Sequence, residues 1–246
     1  MDYVYNFQLA ATKLLKFDAK GEFYIVEALC RPKKDGASTL LGTTNNHTRM
    51  IRMWTFYNVE SFNRMIDEMV KVCDANNARA YLLPQRRTTY CAMKAIIANA
   101  LQNLDNAEVN FNRFISSSLC GMHESKHKRW VFDIDFDCPV LNKWCRETFS
   151  DAKVIVPSLQ CKGMLSFYEH VKERVVKCGS GTADDVVIVP TQNGYHIVTP
   201  PFNPNACQKL GLGEIPQPYS PKWQKKDAMT LLYVPDYETD DEKEED

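Results

Sequence analysis

The stretch from Trp130 to Asp137, Trp-Val-Phe-Asp-Ile-Asp-Phe-Asp, constrains this chain more than any other. A strand sends successive side chains to opposite faces, so Trp130, Phe132, Ile134 and Phe136 point one way and Val131, Asp133, Asp135 and Asp137 the other. One face is predicted to be core and the other to carry acid. Carboxylates two residues apart on a strand sit about 7 Å apart and repel one another unless a cation lies between them. Asp is disfavoured in strands, so the pattern asks for a reason. A hard divalent ion supplies one, because magnesium is commonly held by one or two carboxylates together with substrate phosphates. The alternative is a solvated polar face on an antiparallel strand.

On either side of this stretch the chain alternates strand and helix signals. Residues 23–30 and 50–57 are rich in β-branched and aromatic residues and are predicted to pair across a long hairpin loop. Asn58 is a good helix cap, and the apolar positions 59, 62, 65, 66, 69, 70 and 73 keep helical spacing until Asn76-Asn77. A short strand over 79–83 should end at Pro84, with a helix over 90–104. The first 105 residues thus read β-β-α-β-α. Beyond the acidic strand, helices are expected over 139–149 and 164–178, the second closing on Gly179. Asn193-Gly194 between two apolar runs predicts a hairpin with a type I′ turn, which leaves His196 in the returning strand. A last strand covers 229–234. The fold class is α/β in the broad sense, an α+β arrangement of mixed sheets and helices. A chain of 246 residues can bury a large core as a single domain over 1–235, built of an N-terminal αβ unit (1–105) and a sheet unit (106–235).

The charge of −1 conceals an asymmetry that bears on partners. Residues 236–246 hold eight acids and one Lys and read as a disordered acidic tail, leaving 29 Lys and Arg against 23 Asp and Glu, a net +6, on the body. That balance suits a phosphate-bearing partner. Pro84-Gln85-Arg86-Arg87-Thr88-Thr89 is predicted to be a strand-to-helix junction where amides and arginines meet an anion, a solvated loop being the plain alternative. Cys120, His123 and His127 have tolerable zinc spacing, with Cys138 as a conceivable fourth ligand. The nine cysteines are odd in number and contain no Cys-x-x-Cys pair, the pattern of reduced thiols. No apolar run approaches the ~20 residues that span a bilayer, so the expectation is a cytoplasmic protein with no membrane partner. Phosphate-loop, dinucleotide, metalloprotease and serine-hydrolase motifs are all missing.

A strand bearing Asp133-Ile134-Asp135, followed by Gly194-Tyr195-His196 in a hairpin, resembles the first two motifs of the archaeo-eukaryotic primase superfamily. Lys128 to Asp135, with Asn77-Ala78-Arg79-Ala80-Tyr81 upstream, is also similar to small primase-like proteins of phages. The resemblance implies an αβ unit packed on a sheet unit related to the RNA-recognition fold. It implies magnesium or manganese on Asp133 and Asp135, phosphate contact by His196, and a third acid, for which Asp227 and Asp236 are candidates. The expected activity is template-directed nucleotidyl transfer in DNA replication, with nucleoside triphosphates and a DNA template as substrates and a helicase or other replication protein as partner. Arg79, Arg86 and Arg87 would bind nucleotide or template phosphates. A metal-dependent nuclease would use the same carboxylates, and a non-catalytic nucleic-acid-binding protein could keep the fold without them.

Overall fold

The computed structural model describes residues 3–30, 49–105, 118–119, 128–135, 138–148, 162–217, 219–220 and 229–235. They form two antiparallel sheets and the helices that cover them, an α+β fold. The first sheet has the order β2-β1-β3-β7, with β1 at Glu22–Cys30, β2 at Arg49–Phe56, β3 at Arg79–Thr88 and β7 at Thr230–Tyr233. The second has the order β4-β6-β5, with β4 at Trp130–Asp135, β5 at Val187–Pro190 and β6 at Gly194–Thr199.

Helices cover both faces where the strands are apolar on both sides. Tyr24, Val26 and Ala28 of β1 face one core, with Phe7 from α1 (Tyr3–Leu9), Phe62 from α2 (Val59–Arg64), and Met69 and Cys73 from α3 (Ile66–Asn76). Phe23 and Ile25 face the other way, against Leu83 of β3 and Ala92 of α4 (Thr89–Gln102). Local chemistry sets the helix ends, at Asn58 and Asn77 as expected and at Thr88 in addition. The Asn58 side chain accepts from the Ser61 N–H at 2.7 Å, Asn77 closes α3 in the left-handed region at φ 49°, and the Thr88 hydroxyl accepts from the Cys91 N–H.

The two sheets share one core. Val131, Val187, Val189 and Val198 of the second sheet join the cluster built on Tyr24, Val26 and Leu82. Phe132, Ile134 and Ile197 point the other way, onto Leu141 and Cys145 of α5 (Pro139–Thr148) and Phe167, Val171 and Val175 of α6 (Lys162–Cys178). Between β6 and β7 lies a short helix, α7 (Pro204–Lys209), capped by Asn203 with Pro at its start. β7 returns to pair with β3, so the last strand completes the first sheet and does not extend the second. No helix among the described residues is long and apolar enough to cross a membrane. The seven described cysteines are all free thiols.

Two local expectations are corrected. β3 does not stop at Pro84 but runs on to Thr88. Ile25 pairs with Leu83 and Phe23 with Arg87, so residues 84–86 bulge opposite Tyr24, where a missing N–H breaks no ladder bond. The predicted anion-binding junction is therefore strand, with Arg86 and Arg87 each 3 % exposed. The β5–β6 hairpin forms, yet Asn193 and Gly194 both keep negative φ, so its turn is not type I′. Gly194 is instead the first residue of β6, and a Cβ there would lie 1.8 Å from the Ile134 carbonyl oxygen and 3.0 Å from Asp135 Cα. What selects glycine here is the close approach of β6 to β4.

Asp185 fastens the N-terminal segment to the second sheet. Its carboxylate pairs with Lys16 at 2.8 Å and Arg129 at 3.6 Å, and also accepts from the Thr182 N–H and hydroxyl. Burial alone would raise its pKa; the hydrogen bonds from Lys16 and Thr182 outweigh it and hold the carboxyl below its ordinary 3.8.

Two outcomes follow from this packing. Gly194→Ala forces backbone apart at the β4–β6 contact and should destabilise the protein by about 1–3 kcal/mol, a melting temperature lower by roughly 2–12 °C. Because the folded pKa of Asp185 is depressed, its stabilisation is present above the ordinary value of 3.8 and is lost as pH falls below it. Urea titrations at about pH 6 and about pH 3 should therefore show a smaller loss of stability on acidification in Asp185→Asn than in the wild type.

Candidate functional site

The acidic face of β4 begins inside the shared core at Val131 and leaves it two residues later. Asp133 and Asp135 are exposed, whereas Val131 on the same face is 3 % exposed. Their placement follows from the antiparallel register: Asp133 lies directly opposite His196, and Asp135 opposite Gly194. Directly opposed residues share a face, so the carboxylates and the imidazole meet on one side of the β4–β6 ribbon. His196 Nε2 is 3.2 Å from Asp133 Oδ1, with the imidazole only 9 % exposed and the Asp133 side chain 73 % exposed.

The other imidazole nitrogen is committed to the first sheet. The Leu231 N–H donates to His196 Nδ1 at 3.2 Å, and Thr230 Oγ1 lies 3.1 Å from the same nitrogen. Because Nδ1 accepts, the neutral ring carries its proton on Nε2 and presents it to Asp133. The ring is thus oriented from behind by β7 and aimed at the acidic face. Thr230 and Leu231 were not foreseen from sequence. They lie 34 and 35 residues beyond His196, and no local pattern marks them.

The arginines separate from this cluster. Arg86 donates to the Lys16 carbonyl at 2.7 Å and pairs with Asp18 at 2.8 Å and Glu22 at 3.0 Å, so its guanidinium ties the turn before β1 to β3. Arg87 donates to the Gln85 carbonyl and is buried in the sheet. Arg79 opens β3 opposite Leu29, partly buried. Arg86 is thus held by acids of its own, away from the strand that carries Asp133 and Asp135. Arg129, one residue before β4, is likewise engaged by Asp185. Asp137, Asp227, Asp236, Cys120, His123 and His127 lie outside the described residues. Cys138 follows the strand, and its N–H donates to the Asp135 carbonyl at 3.3 Å. Beneath the strand, on the side of Ile134, Tyr219 is buried; desolvation first, then the Cys138 thiol and the two Asp carboxylates, push its phenol up, so it is a neutral core group.

The donor set suits one kind of ion. Among the described residues no group of three His, Cys, Asp or Glu side chains is placed to hold a metal. Two exposed carboxylates at alternate positions on one strand face remain. Hard oxygen donors in that number fit magnesium or manganese, which fill their other positions with water and phosphate oxygens; they do not fit structural zinc. Comparison with protein families, with curated proteins and with solved structures finds no match to this chain.

Proposed function

We propose that this chain is a metal-dependent, template-directed nucleotidyltransferase of the primase or polymerase type. The observation that carries the reading is the cross-strand pair of Asp133 and His196 with Asp135 on the same exposed face. It is supported by the primase-superfamily resemblance of the residues in that pair of strands. In this reading the β4-β6-β5 sheet backed by α5 and α6 corresponds to the RNA-recognition-like unit, and the β2-β1-β3-β7 sheet to the αβ unit.

Asp133 and Asp135 would hold magnesium or manganese, which when bound supplies neutralisation of the phosphates and activation of the attacking 3′-hydroxyl. The carboxylates themselves need only be hard, negative and open to solvent, which their exposure provides. His196 would donate its Nε2 proton to a phosphate oxygen of the nucleoside triphosphate. The Leu231 N–H contributes by keeping that proton on Nε2 and the ring fixed, so little orientation entropy is lost on binding. A DNA template and a replication protein such as a helicase complete the proposed partners, in a cytoplasmic setting. The second reading is a nucleic-acid-binding protein without catalysis. The observation that favours it is the same bond to Leu231, which gives His196 a structural duty that needs no nucleotide.

Three experiments test these readings. Asp133→Ala and Asp135→Ala should each reduce manganese-supported incorporation of labelled nucleotides on primed or unprimed DNA by at least about 100-fold, with an unchanged far-ultraviolet circular dichroism spectrum. Manganese at 100 times its dissociation constant should raise the wild-type melting temperature by roughly 5–10 °C and leave Asp133→Asn/Asp135→Asn unmoved. Equal shifts in both proteins would remove the metal site. For His196, Asn in its place retains an acceptor near the Leu231 N–H but has nothing to offer at the Nε2 position. His196→Asn should therefore fold while binding triphosphate about 1.5–3 kcal/mol more weakly by calorimetry. Wild-type affinity in that variant would confine His196 to holding β7.

A further inference from the structure

On the side of the second sheet away from Asp133 and His196, a cavity of about 370 Å³ opens between α5, α6 and α7 and the segment that follows α7. Small-molecule sites commonly have this size. Trp144 and Phe202 form apolar walls, Cys207 lies against it, and Asn205 and Gln208 supply amides. Arg174 of α6 also lines it, and among the described residues it is the largest side chain that is almost wholly buried, at 1 % exposure.

The guanidinium is what sets this cavity apart. Its Nη1 donates to the His170 carbonyl at 3.0 Å and its Nη2 donates to the Gly213 carbonyl. Among the described residues no carboxylate pairs with it. The adjacent Glu173 bonds Lys177 at 2.6 Å instead. Arg86, buried to a similar degree, is matched by Asp18 and Glu22. A buried cation held by carbonyl dipoles alone is costly, and an anion beside it restores the balance. Three of its five N–H groups remain after the two carbonyl bonds, and a planar fork of that kind suits the paired oxygens of a carboxylate or phosphate. Fastening the 211–213 loop to α6 accounts for the bond to the Gly213 carbonyl, and the bond to His170 stays within α6; neither calls for a cavity beside the fork. Burial opposes the charge on Arg174, and Cys207, Glu173 and Cys178 nearby offset it only in part.

We infer that this cavity binds a small organic anion, its carboxylate or phosphate on Arg174 and its apolar body between Trp144 and Phe202. The site is independent of the carboxylate face, since Phe132 and Ile134 of β4 lie between the two.

The probes are benzoate and phenyl phosphate, with benzyl alcohol as the neutral control, on the full chain. At least one anion should bind saturably by calorimetry and raise the melting temperature, while benzyl alcohol does neither. Which anion binds separates the carboxylate from the phosphate source. Gln208→Glu alters an exposed residue on the cavity wall, so it should fold and melt no lower than the wild type without probe, and bind the anion at least about tenfold more weakly. Arg174→Met should abolish binding where it folds, and Gln208→Glu carries the test where it does not. Absence of binding by both anions at about 10 mM, beyond the weak end of small-ligand affinity, overturns the inference. So does equal affinity in Gln208→Glu and the wild type.

Discussion

One imidazole holds the two sheets in the relation on which everything else depends. β7 is the edge of the first sheet, and its outer side would otherwise present unpaired backbone groups to the second. His196 takes the Leu231 N–H, and the Asn6 side chain donates to the Leu231 carbonyl at 3.4 Å and the Pro190 carbonyl at 3.0 Å. Side chains from β6 and α1 thus satisfy a strand edge that, among the described residues, no further strand covers. The same constraint positions the acids. With Nδ1 tied to β7, Nε2 has one direction left, and the β4–β6 register puts Asp133 there.

That register in turn rests on Gly194. Its missing side chain lets β6 lie against the Ile134 carbonyl, and it sits opposite Asp135. In a small-x-His pattern the small residue and the histidine therefore do different work on one strand: the first brings the backbones together, and the second joins the sheets. The acids gain openness by being beyond the shared core, whose last residue on their face is Val131.

Charge is divided between fastening and display. Arg86 with Asp18 and Glu22, and Asp185 with Lys16 and Arg129, are clamps between segments far apart in sequence. Of these only Arg86 with Glu22 is buried on both sides, and removing one partner of such a pair leaves an uncompensated charge at a cost of about 3–5 kcal/mol. Asp133 and Asp135, by contrast, are left at the surface on a strand that favours neither. Arg174 is the intermediate case, buried like a clamp yet facing a cavity where a clamp would have its acid.

Local pattern alone determined much of this protein. Period-two alternation located β4 and its two faces, helical spacing and Asn58 located α2 and α3, and apolar runs around residues 190–194 located the β5–β6 hairpin. These are short-range consequences of backbone geometry, so they are written in neighbouring residues. The short helices α1 and α7 carry weaker local signals, that of α7 being Asn203-Pro204, a cap followed by a favoured first residue. Tertiary structure decided what each marked residue does. Arg86 read as a loop cation and is a buried clamp because Pro84 falls in a bulge and β3 continues. Gly194 read as a turn and is a point of contact between strands. The partners of His196 and the missing partner of Arg174 are set by elements 34 or more residues away, where only the packing of complete sheets and helices brings the groups together.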